Sequence, residues 1–183
     1  MAKRSPKGEP KAGRPYMPGY GVPAEGGEGM LPWSWAVERL SAARNYWVVT
    51  VRPDGAPHAM AVWGVWLDDR FYFSTSETSR KARNLEASDA CTVAIECEDD
   101  ETVVVDGAGA IERDPAVIER FVAAYEPKYA WSMDPMPGAV YVVRPRAVFG
   151  IGATPFEQTA TRWTFDGWAS HLARKGPSGT ASG

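Results

Sequence analysis

With 183 residues, 44% of them hydrophobic and 11% aromatic, the chain has the material for one domain with a sizeable core. Its net charge of −3 argues against nucleic-acid binding driven by overall charge, and no apolar run approaches the ~18 residues that a membrane helix needs. Lys3, Arg4 and Lys7 have no apolar stretch behind them, so the pattern of a secretory signal is missing and the cytoplasm is the expected compartment.

Residues 1–30 are rich in Pro, Gly and Lys, and Met1 to Arg14 holds five cations against one Glu. This segment reads as a flexible basic arm. Within it, Arg14-Pro-Tyr-Met-Pro-Gly-Tyr-Gly-Val-Pro23 has the aromatics of an extended stretch laid over a domain, in reach of a partner subunit. From Pro32, Trp33, Val37 and Leu40 recur at helical spacing. A strand follows over 45–52, and Pro53-Asp54-Gly55 is a tight hairpin turn. One strand is then expected over 57–67, a turn at Asp68-Asp69-Arg70, and a strand over 71–75.

A short helix over 79–87 comes next, then strands over 91–98 and 102–112 joined by an acidic turn. Asp114-Pro115 is a helix start, an N-cap followed by Pro; Val117, Ile118, Phe121, Val122 and Tyr125 mark that helix's buried face. Two further strands are expected over 139–143 and 147–151, and a last one over 161–165. The Gly/Ser-rich tail, 167–183, reads as flexible. Strands joined by hairpin turns, with few helices, indicate a mostly antiparallel sheet closed into a barrel over residues 31–166.

Little in the chain suits acid–base or metal chemistry. There are two His, and His171 lies in the tail, which leaves His58 at a strand start. There is no Gly-x-Ser-x-Gly elbow and no P-loop, and too few His and Cys for a zinc site. Cys91 and Cys97 share a strand face but lie roughly 20 Å apart along it, so both should be free thiols. Gly107-Ala-Gly109 lacks the third glycine of a dinucleotide fingerprint and reads as strand glycine at a bulge.

The strongest chemical signal is Phe71 to Leu85. An aromatic strand runs into a hydroxyl-rich turn, and a helix opens with Ser79, Arg80 and Lys81. A helix start presents unpaired N–H groups and a positive dipole end; hydroxyls and two cations make it a seat for a phosphate. The plain alternative for Arg80, Lys81 and Arg83 is a solvated helix face. A cofactor with its own redox ring would also account for the missing acid–base constellation, and some of the eight Trp could line a flat ligand.

The order Thr50-Val-Arg-Pro-Asp-Gly-Ala-Pro-His58, then Val62-Trp63, then Phe73 to Leu85, resembles the split β-barrel flavoproteins, the pyridoxamine 5′-phosphate oxidase-like superfamily and its flavin/deazaflavin oxidoreductase branch. The Ser-Arg-Lys-Ala-Arg-Asn-Leu run carries most of the resemblance, with Thr161-Arg-Trp-Thr-Phe165 as a closing motif. It implies a homodimer with two cofactor sites at the subunit interface. Arg80 and Lys81 would hold the cofactor phosphate, with hydroxyl contacts from Thr75 and Ser79 and with Asn84 bracing that end. The backbone of Met60, Ala61, Val62 and Trp63 would lie against the ring, and Arg162 or Trp163 would approach it from the other subunit.

Pyridoxamine phosphate oxidases themselves carry basic residues along the second strand, where this chain has Met60 and Val65. The resemblance therefore favours the deazaflavin coenzyme F-420 over FMN, and hydride transfer to a small organic substrate, with no membrane or nucleic acid as partner. An FMN-dependent oxidase or reductase, a non-catalytic cofactor carrier, and an interaction module using the basic arm are the competing readings.

Overall fold

The computed structural model describes residues 9–26, 28–98, 100–136, 138–153 and 155–165. Expectations for His171 and the tail lie outside them. In chain order the elements are β1 (Lys11–Gly13), α1 (Trp33–Ala42), β2 (Tyr46–Val51), β3 (Pro57–Val62), β4 (Val65–Leu67), β5 (Arg70–Thr75), α2 (Arg80–Ala87), β6 (Ala90–Glu96), β7 (Thr102–Ile111), α3 (Pro115–Tyr129), β8 (Ala139–Ile151), α4 (Phe156–Thr159) and β9 (Thr161–Thr164). All strand pairs are antiparallel, in the order β1-β9-β8-β7-β6-β2-β3, with β5 on β8 and β4 on β5.

The long strand β8 organises the sheet. One edge pairs with β7 along its length, from Thr102↔Ile151 to Ile111↔Tyr141. The other edge is shared, with β9 along Ala147–Gly150 and β5 along Ala139–Val143. The two branches curl over one core, in which Phe71 and Phe73 of β5 meet Val93 and Ile95 of β6, Val103 and Val105 of β7, and Trp163 of β9. A second core lies behind the first branch, where Phe121, Tyr125 and Tyr129 of α3 cover Val65, Tyr72, Val140 and Val142. The strands of that branch are buried on both faces, which explains their continuous apolar runs, Phe71-Tyr-Phe73 and Val140-Tyr-Val-Val143.

Three expectations need correction. The strand expected over 57–67 is two strands with different partners, β3 on β2 and β4 on β5. The break falls at Gly64, whose N–H donates to the Tyr129 hydroxyl at 3.0 Å while that hydroxyl donates to Gly64 O at 2.8 Å. A Cβ at Gly64 would stand 2.4 Å from the Phe71 ring, so only glycine fits this crossing.

The two strands expected over 139–143 and 147–151 are one. β8 passes through Pro145 because the register slips between Asp106 and Gly107, leaving an extra residue on the β8 side. The extra residue flips the phase: Tyr141 and Val143 face the core before it and Val148 after it. The bulge expected at Gly107 is therefore present, and a Cβ there would meet Arg144 O at 2.5 Å.

Nor are residues 11–26 and 28–30 a free arm. Lys11–Gly13 pair with β9, and the buried Arg14 guanidinium donates to the carbonyls of Gly26 (2.8 Å), Glu28 (2.8 Å), Gln158 (2.5 Å) and Ala160 (2.9 Å). A buried cation that gives four of its five donors to backbone carbonyls ties the segment to the domain.

The remaining elements stand close to their expected bounds. Gly55, at φ +84°, closes the β2–β3 turn with Asp54 accepting from Ala56 N at 3.0 Å. Asp68 and Asp69, both at positive φ, make the β4–β5 turn. Asp114 caps α3 by accepting from Ala116 N at 3.0 Å. Cys91 and Cys97 are both free thiols, and burial pushes the Cys91 thiol up to about 12.

Candidate functional site

The phosphate-like seat forms where β5 runs into α2. Ser79 is the N-cap of α2, in extended conformation, and its hydroxyl accepts from Ala82 N at 3.2 Å. Thr75, the last residue of β5, donates its hydroxyl to Ser79 Oγ at 3.2 Å. The half-buried Lys81 reaches back, its Nζ donating to Thr75 Oγ1 at 3.4 Å. Ser76 and Thr78 share a 2.8 Å hydroxyl contact in the turn, and Ser79 N donates to Ser76 O at 2.9 Å. Thr75, Ser79 and Lys81, singled out from sequence, thus stand in one hydrogen-bonded chain.

The electrostatics favour an anion. Neither Arg80, Lys81 nor Arg83 forms an ion pair with a carboxylate among the described residues. Burial lowers the Lys81 pKa from its ordinary value because desolvation penalises its charge. A neighbouring phosphate would restore that charge and supply acceptors for the lysine and the first N–H groups of α2. Arg80 and Arg83 are exposed, and Arg80 is free to fold over a bound anion.

Asn84 does not join this seat. It is fully buried, and its Nδ2 donates to the buried Thr50 hydroxyl at 2.9 Å. It lies one turn further along α2 than Arg80, where the helix packs on β2, and its amide is used up there rather than at the turn. Its role is to fix α2 on β2. Its Oδ1 is buried without a partner among the described residues, as is His58 Nδ1 on the neighbouring β3, opposite Thr50. Thr50 was not singled out from sequence. The signal was there: it is the one threonine at an inward position of β2, in phase with Tyr46 and Val48.

The second group of expected residues lies on β3, which ends the sheet path and has one strand neighbour. Met60 and Ala61 are exposed, Met60 at 48%, while Val62 packs against the main core. Trp63 is 41% exposed and stacks on Tyr129 with ring centroids 4.7 Å apart and planes at 9°; Trp131 meets it edge-on at 6.4 Å. Among the described residues the strand offers an unpaired backbone edge beside exposed aromatic and thioether surface, suited to a planar ring. Tyr129 and Trp131 escaped the sequence reading, although Tyr129 continues the Phe121–Tyr125 stripe of α3.

Trp163 must be taken off the list of ring contacts. It is 1% exposed, packs edge-on against Trp33 at 5.5 Å, and lies over Gly150. Strand alternation decides this: Trp163 points into its own core and Arg162 points out.

A further surface lies on the outer face of the sheet. The register places Ala61, Trp47, Ala94, Val104, Phe149 and Arg162 in one row across six strands. Trp47 is 49% exposed there, and the row is apolar as far as Arg162. Among the described residues no helix is long and apolar enough to cross a membrane.

Comparison with known proteins agrees with this geometry. The family model for pyridoxamine 5′-phosphate oxidase matches residues 36–154. Among solved structures, an F-420 reductase superposes with a TM-score of 0.52 at 25% identity, covering 64% of this chain and 98% of that one. A heme binding protein from Mycobacterium smegmatis gives a TM-score of 0.59 at 20% identity, over 73% of this chain and 59% of that one. A heme storage protein from Vibrio cholerae gives 0.53 at 17%, over 63% and 91%. No curated protein sequence matches. The family match spans α1 to the end of β8, and so takes in the curled sheet, the β5–α2 seat and the β3 edge: the chain belongs to the pyridoxamine 5′-phosphate oxidase family and has its split-barrel fold.

Proposed function

We propose that this protein is an oxidoreductase that passes a hydride between a bound deazaflavin coenzyme, F-420, and a small organic molecule. The carrying observation is the Thr75–Ser79–Lys81 cluster, a half-buried lysine on the Thr75 hydroxyl, which in turn bonds Ser79 at the helix start, with no ion pair to a carboxylate among the described residues. It suits one phosphate group of a cofactor. Arg80 closes over the same group. Met60, Ala61, Val62 and Trp63 offer the β3 backbone edge to the ring system, and Asn84 acts at one remove by holding α2 against β2. The coenzyme supplies the hydride chemistry when bound. The protein's part is placement, which accounts for a site without an acid–base pair.

F-420 is favoured over FMN on the chain's own residues. Positions 60 and 65 are Met60, exposed, and Val65, buried in the second core, so neither adds a cation along β3 and β4. The likeness to an F-420 reductase points the same way. The reading includes a homodimer. A second copy on the Trp47, Ala94, Val104 and Phe149 face would bury apolar surface that one barrel leaves exposed, and would complete each ring site from the other side.

The test is an absorbance titration of purified protein with F-420 and with FMN. Turnover follows, with each cofactor reduced and enones, quinones and tetrapyrroles as acceptors. Saturable F-420 binding with oxidation by at least one acceptor is expected. Binding without oxidation by any acceptor would make the protein a carrier; tight FMN binding with no F-420 affinity would reverse the cofactor choice.

A further inference from the structure

Helix α2 has a second working side. While Lys81 turns toward Thr75 and Asn84 toward β2, Ala82, Leu85 and Glu86 face a cavity of about 410 Å3 against the ends of β7 and β8. Its floor is apolar, made by Leu85 and by Gly109–Ile111. Leu85 packs closely on Gly109, where a Cβ would lie 2.6 Å from Leu85 Cδ2. The Gly109 N–H is taken by Asp89 O at 2.8 Å, so the backbone at the floor has no free donor there.

Carboxylates dominate the walls. Asp89 pairs with Arg146 at 3.1 Å. Glu77 and Glu86 have no ion-pair partner among the described residues, and Arg113 is the one cation lining the cavity. The second, independent feature is Tyr141. Its side chain is 6% exposed and its ring stacks on Phe73 at 5.6 Å, yet its hydroxyl makes no hydrogen bond among the described residues and opens into the cavity. Burial raises its pKa, with Glu77 and Glu86 adding to the rise and Arg113 opposing it, so the hydroxyl stays a neutral phenol. A buried ring whose hydroxyl has no protein partner among the described residues, in a pocket with a surplus of negative charge, is the chemistry of a cation subsite.

We infer that this cavity binds a small organic cation, a primary ammonium on a short aliphatic chain: the stem lies on Leu85 and Ile111, and the ammonium donates to Glu77, Glu86 and the Tyr141 hydroxyl. The site is separate from the phosphate-like seat and does not depend on the cofactor reading.

The experiment follows backbone amide resonances of the full chain while n-butylammonium is added, with 1-butanol as the neutral comparator. Saturable shifts centred on Gly109 and Ala110 with the amine, and none with the alcohol, are expected. Tyr141→Phe keeps the ring packing and removes only the hydroxyl; it should weaken the amine roughly tenfold. Glu86→Gln should do the same, and Glu77→Gln with Glu86→Gln should abolish binding. No saturable shift at millimolar amine, equal shifts with the alcohol, or amine binding unchanged in Tyr141→Phe and Glu86→Gln would each overturn the assignment.

Discussion

Asn84 of α2 and Thr50 of β2 are joined side chain to side chain at 2.9 Å, both fully buried. This bond fixes the helix that carries Ser79, Arg80 and Lys81 to the strand that carries β3. The two halves of the candidate site are therefore set relative to each other by a residue that belongs to neither contact surface. Asn84→Ala should lower unfolding free energy by about 1–3 kcal/mol, because it leaves the Thr50 hydroxyl short of a buried partner. In urea denaturation, Thr50→Val added to Asn84→Ala should cost less than the two single changes summed. Strict additivity would mean that the bond contributes nothing.

Lys81→Ala should act differently, leaving the urea midpoint near wild type and weakening cofactor binding by roughly tenfold to a hundredfold, as expected for a charge-assisted hydrogen bond. Arg80→Ala should behave similarly and Arg83→Ala less. Titrations unchanged in both the Lys81 and Arg80 variants would return these residues to a solvated helix face.

The same lysine gives a pH signature. Burial lowers the Lys81 pKa in the free protein, and a bound phosphate would raise it again. Binding then takes up a proton, and affinity falls as pH rises through the free-state pKa, earlier than for an ordinary lysine. Lys81→Arg keeps the charge throughout and should flatten the profile. A profile of the same slope in both proteins would remove Lys81 from the site.

Lys128 offers a stability test. Burial and the neighbouring Arg44 lower its pKa from 10.5 to about 8, while its Nζ donates to Tyr46 Oη at 2.8 Å and Ser41 O at 3.0 Å. The unfolded chain holds this proton up to the ordinary lysine range and the folded chain releases it earlier, so this group's contribution to stability rises with pH between about 8 and 10. Between pH 8 and 9.5 the wild type should gain about 1 kcal/mol relative to Lys128→Met, a figure reduced for the half-exposed side chain. Parallel curves for the two proteins would show that Lys128 keeps its proton in the fold.

For the proposed dimer, Trp47→Glu with Ala61→Glu places charge in the exposed apolar row without touching the core. Sedimentation should show wild type as a dimer at micromolar protein and the variant as a monomer of unchanged secondary structure. A monomeric wild type, with and without cofactor, would leave the Trp47 face needing another occupant.

The sequence by itself determined what is local. Pro53-Asp54-Gly55 closed its hairpin, Ser79 and Asp114 capped their helices, and Thr75, Ser79 and Lys81 met within seven residues of chain, because turn chemistry, capping and helical period need only near neighbours. The family, too, was legible in the run from Thr50 to Leu85.

Tertiary structure decided what depends on distant partners. Gly64 breaks a strand because a tyrosine 65 residues away grips its backbone. Pro145 stays within β8 because a register slip against β7 absorbs it. Residues 11–13 became a strand because β9 offered an edge, and Trp163 went inward because β9's pairing set its phase. Asn84 left the phosphate-like seat for Thr50, and Tyr141 met Glu77 and Glu86 only once α2 had docked on β7 and β8. In each case the outcome turns on which face or edge meets which, and that is fixed by long-range pairing and burial.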